Sequence, residues 1–74
     1  MMEWQRRLRA EIDGSELTAA EIEQKAGLSN GIIRHLTRTG EKAPKIGPGI
    51  RTAQAIADVL GVRAGWLWFG EDEQ

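Results

Sequence analysis

Apolar residues return along this chain at helical spacing, and no segment alternates over a strand of useful length. Trp4, Leu8 and Ile12 recur every four positions and share a face, with Arg6, Arg7, Arg9 and Glu11 largely elsewhere. A first helix is predicted over about residues 2–12, ended by Asp13-Gly14-Ser15. Thr18 and Glu21 then have the spacing of a capping box, and Leu17 and Ile22 that of a hydrophobic staple. A second helix therefore runs over about 19–26, and Gly27 suits the left-handed residue just past its end. Ser29 is a second N-cap candidate, opening a third helix over about 30–37 with Ile33 and Leu36 facing inward. Leu28 and Ile33 repeat the staple spacing. Gly31, in the first turn of that helix, is expected to weaken it by roughly 1 kcal/mol relative to alanine.

The stretch TRTGEKAPKIGPG, residues 37–49, is a loop by composition, because its glycines and prolines interrupt any helix. Ile50, Ala53, Ile56, Ala57 and Leu60 give a fourth helix, about 50–60, an apolar face, and Gly61 stops it. AGWLWFG predicts a final short helix over about 64–69. The fold class is all-α, with five short helices in one domain spanning residues 1–74.

Composition narrows the function. A chain of 74 residues buries one modest core. Without cysteine, disulfides and thiolate metal sites are ruled out, and His35 as the sole histidine leaves a zinc site built on histidine pairs without its ligands. No metal or cofactor is expected. No apolar run approaches a membrane span, and MMEWQRRLRAE lacks the apolar core of a signal peptide, so a cytoplasmic location is expected. The chain also lacks tyrosine and a P-loop glycine motif, and an enzyme is not expected. The formal net charge of −1 is uneven: Arg34, Arg38, Lys42, Lys45 and Arg51 face only Glu41 within residues 34–51, whereas Glu71-Asp72-Glu73 is acidic. The basic segment reads equally as a solvated loop or as a contact for polyanions.

Two helices joined by a short glycine-containing turn describe a helix-turn-helix, whose second helix protrudes and can enter a DNA major groove. The backbone amides at the start of the second helix, around Ala19, are free for a phosphate. At this point the chain resembles a known family. "LTAAEIEQKAGLS", the later "AQAIADVLGV" and the ending "WLWFGE" are similar to the lambda-repressor and Cro-like helix-turn-helix regulators, over nearly the whole chain from Leu8 to Glu71. The resemblance implies a compact five-helix domain that binds double-stranded DNA, usually as a homodimer on an operator with two half-sites. It places Ser29, Asn30 and Gly31 at the base-facing start of the recognition helix, Arg34 and His35 one turn on, and Arg38, Lys42 and Lys45 where phosphates are met. The chemistry agrees: Asn pairs with adenine, Arg with guanine, and Ser with either base or phosphate.

The departures from the family pattern are specific. Ala19 stands where glutamine is common, so a side-chain phosphate contact is missing. Gly31 reads nothing by side chain, and Ile32 is a candidate for a thymine methyl. The loop over 37–49 is longer than the common form. Glu23 stands where alanine is usual, tight against the recognition helix; its carboxylate is expected to escape to solvent or to pair with Arg34 or His35, and such a pair would hold Arg34 from guanine.

Each residue also has a plainer role. Thr18 and Ser29 are caps first, Asn30 and His35 can be merely solvated, and Lys42 and Lys45 can be loop solubilisers. Trp4 is expected in the core, with Trp66 and Leu67 closing it. Trp68 and Phe69 form either an exposed patch suited to self-association or a pair of partly exposed aromatics packed on neighbours. Two functions follow. One is a sequence-specific transcriptional regulator of the phage- or prophage-repressor type, or the N-terminal part of a longer one with the acidic end as the start of a linker. The other is a protein-interaction module, antitoxin-like or adaptor, on the same fold.

Overall fold

A computed structural model describes residues 2–71; the acidic end beyond Glu71 lies outside the described residues. Its elements are α1 (Glu3–Asp13), α2 (Ala19–Ala26), α3 (Ile32–Leu36), a 3-10 turn (Gly40–Lys42), α4 (Ile50–Leu60) and α5 (Ala64–Phe69). Among the described residues there is no strand. The periodic apolar positions meet in one core: Trp4 and Leu8 from α1, Ile22 from α2, Ile33 and Leu36 from α3, Ile56 and Ala57 from α4, Leu67 and Trp68 from α5. Within it α2 packs on α3 and α4, and α5 packs on α1 and α4.

Local chemistry starts and stops these helices. The Thr18 hydroxyl accepts from the Glu21 amide at 3.2 Å, and the Thr18 amide donates to the Glu21 carboxylate at 3.0 Å. That closes the capping box read from the sequence. Gly27 ends α2 with φ 70°, where a side chain would be strained, and the Leu28 amide reaches back to the Glu23 carbonyl at 2.8 Å.

The start of α3 departs from the sequence expectation. The helix opens at Ile32, not Asn30, and its N-cap is Gly31 with φ 90°. Ser29 caps nothing with its side chain; its carbonyl accepts from the Ile32 amide at 3.3 Å. Gly31 is therefore a hinge in the left-handed region rather than a weak spot inside a helix. The 3-10 turn also gives residues 37–49 local order that composition did not signal.

The two aromatics at the end of α5 part company. Trp68 is buried: its indole N–H donates to the Ala53 carbonyl at 2.9 Å, and its ring lies 5.4 Å from that of Trp4, tilted by 52°. Its polar edge is satisfied on α4, so the whole ring can enter the core beside Leu67. Trp68 is thus part of the core and not of an exposed aromatic patch. Phe69 points the other way and is 83% exposed. Trp66 is half-buried against the core. Arg7 secures the same helix from α1, donating from Nε to the Leu67 carbonyl at 2.8 Å with its guanidinium against Gly70. A cation at the end of a helix is where the backbone dipole favours it.

Candidate nucleic-acid interface

The third helix has only five residues, too few to hold itself together in water. Its inward side, Ile33 and Leu36, is anchored in the core. Both of its ends are also held, by buried polar side chains. At the front, the Ile33 amide donates to Glu23 Oε2 at 2.8 Å. At the back, Gln5 Nε2 donates to the Leu36 carbonyl at 3.0 Å and to the Arg38 carbonyl at 2.8 Å. The Gln5 Oε1 accepts from the Met2 amide at 2.9 Å, so both N–H groups and the oxygen of the amide are engaged. The Thr37 hydroxyl adds a bond to the Ile33 carbonyl at 2.9 Å.

Glu23 corrects the sequence expectation. It is almost wholly buried, at 4% exposed, and pairs with neither Arg34 nor His35, its Oε2 turned toward the backbone of α3. The turn at Gly27 sets α3 across the end of α2, so the carboxylate meets the Ile33 amide, which otherwise lacks an acceptor in its own helix. Arg34 and His35 are exposed and, among the described residues, have no side-chain hydrogen bond or ion pair.

The remaining candidates divide by position. Ser29, Asn30 and Gly31 are consecutive and exposed at the entry to α3, and neither the Ser29 nor the Asn30 side chain is bonded within the described residues. Arg38 follows α3, with its backbone gripped by Gln5 and its side chain exposed. Lys42 closes the 3-10 turn. Lys45 and His35 come together, lining one cleft with Ile32, Ile46, Pro48 and Thr52 between α3 and the loop that leads to α4. Ile32 is half-buried and packs on the core. At the start of α2, the amides of Ala19 and Ala20 have no acceptor among the described residues. The Glu21 carboxyl beside them is held below its usual range by the Thr18 backbone amide, then by the Thr18 hydroxyl, with Lys25 adding to both.

Sequence reading missed Gln5 altogether and misjudged Glu23. Gln5 sits three residues before Leu8 and seven before Ile12, so helical spacing turns it toward the apolar face, and only its polar side chain argued against burial. Among the described residues no group of histidine, cysteine or carboxylate side chains could hold a metal ion, and no helix is long and apolar enough to cross a membrane.

No protein-family model matches the chain, and no curated protein is detectably similar to it. A solved structure is similar: the P22 c2 repressor in complex with synthetic operator 9T in the presence of Tl+. The two agree with a TM-score of 0.75 at 20% identity, over 96% of this chain and 100% of that one. This likeness shows the fold alone: among the described residues, a compact all-α arrangement of five α-helices, with a helix-turn-helix, shared with that repressor.

Proposed function

We propose, from a fold shared with lambda-repressor-like DNA-binding domains, that this protein is a sequence-specific, double-stranded DNA-binding transcriptional regulator of the phage- or prophage-repressor type. The observation that carries the reading is the unbonded, exposed rim of α3. Ser29 and Asn30 lie at its entry, Arg34 and His35 on its outer side, and Arg38, Lys42 and Lys45 beyond it. Asn30 and Arg34 carry the donors and acceptors that discriminate base pairs in the major groove, and Ser29 serves base or phosphate. His35 lies one turn on, near the DNA. Gly31 lets the backbone come close. Arg38, Lys42 and Lys45 neutralise phosphates, as do the open amides of Ala19 and Ala20.

The protein acts as a homodimer in this reading. Phe69 and Ile50 are large, apolar and exposed, and they flank a cleft lined by Trp4, Pro48, Ala53 and Trp68. A patch of that kind on a small domain suits a partner. The same patch supports the second reading, an antitoxin-like or adaptor module whose partner is another protein.

Selection of bound duplexes from a random pool, followed by titration of the winner at several salt concentrations, separates the two. A symmetric motif is expected. If about six phosphates are neutralised per dimer, affinity falls about a thousandfold between ~50 and ~200 mM salt. A folded protein that retains no duplex at low salt, yet pairs with a protein partner on size exclusion, establishes the second reading instead.

A further inference from the structure

We infer that Glu23 is a positioning residue for base readout: its buried carboxylate caps α3 from outside, leaving Ser29 and Asn30 free to meet DNA. The inference rests on the proposed DNA-binding function. An ordinary helix start uses the side chain of its own N-cap, or a neighbour in the first turn, to take up the free amides. Here that residue is Gly31, which has no side chain, and its φ of 90° turns the chain sharply into Ile32. The acceptor comes instead from ten residues earlier: Glu23 Oε2 lies 2.8 Å from the Ile33 amide. Ser29 and Asn30, the two residues whose side chains commonly cap a helix, stay exposed and unbonded within the described residues.

The carboxylate is an unusual choice for this position on energetic grounds. Burial of a charged group is costly, and no cation among the described residues pairs with Glu23. The Ile33 amide, donating at the start of α3, offsets part of that cost. Removing the acceptor lets α3 shift or draws Ser29 or Asn30 back into capping, and either change costs discrimination between base pairs more than general affinity.

The test compares the parent with Glu23→Gln, which keeps an acceptor, and with Glu23→Met and Glu23→Ala, which remove it without and with loss of volume, respectively. Variants that fold by circular dichroism are titrated with the selected duplex and with scrambled duplex, alone and combined with Asn30→Ala. Exchange of the Ile33 amide is followed by NMR.

The ratio of selected to scrambled affinity is expected to fall about tenfold in Glu23→Met or Glu23→Ala, and to stay within about twofold of the parent in Glu23→Gln. Ile33 exchange accelerates in the first two and not in the third. In their background Asn30→Ala costs little further, because both substitutions act on the same contact. Three results overturn the inference while the parent still discriminates: an unchanged ratio without the acceptor, an equal loss on both duplexes, or Glu23→Gln behaving like Glu23→Ala. A parent that discriminates no duplex overturns the proposed function itself, and this inference with it.

Discussion

Gly31, Gln5 and Glu23 show how far single residues could be read in advance. A glycine inside a helical pattern is a cost, and from spacing alone Gly31→Ala looks stabilising. With φ at 90° it is the reverse: the substitution is expected to destabilise the fold by about 1 kcal/mol, measurable by urea unfolding. Gln5 is 1% exposed and satisfies two carbonyls more than thirty residues away. Gln5→Ala strands those carbonyls and leaves a void, an expected loss of about 3 kcal/mol in the same experiment. The partners of Gln5 have no sequence signature, because they are main-chain groups, and those are alike in every residue, while the φ of Gly31 is set by how α3 is mounted. Spacing reports which side chains share a face, and it is silent on which distant backbone atom will need a donor or an acceptor.

Helices were more legible, where their ends are governed by side chains within four residues. The box of Thr18 and Glu21 and the stop at Gly27 are local, and they form as read. The start of α3 was misjudged because its acceptor is tertiary. The local box makes a prediction of its own. The folded-state pKa of Glu21 is lowered, first by the Thr18 amide. Its contribution to stability is therefore complete above the ordinary carboxyl value of 4.5 and fades as pH drops through the lower, folded value. In thermal unfolding at graded pH, the gap between the parent and Glu21→Ala is expected to be constant at neutral pH and to narrow below about pH 4.5. A gap that persists unchanged in strong acid would mean that the carboxylate charge has no part in the cap.

The molecule as a whole divides into a packed interior and two exposed surfaces of different character. The interior was largely visible in the apolar period, down to Trp4, Leu8, Ile22 and Leu67. Trp68 was not, since two adjacent residues can both be buried only when the helix carrying them is wedged between others, here α1 and α4. The apolar surface around Phe69 can be altered without touching the core: Phe69→Glu is expected to leave unfolding within about 0.5 kcal/mol of the parent and, under the proposed homodimer reading, to shift sedimentation from dimer to monomer. The surface around α3 has a different property. Glu23 and Gln5 grip only main-chain atoms, the amide of Ile33 and the carbonyls of Leu36 and Arg38. The side chains at 29, 30, 34 and 35 consequently carry no share of the mounting. They can be exchanged wholesale, like type in a fixed frame, and a lineage could change what this rim recognises without having to relearn how to fold.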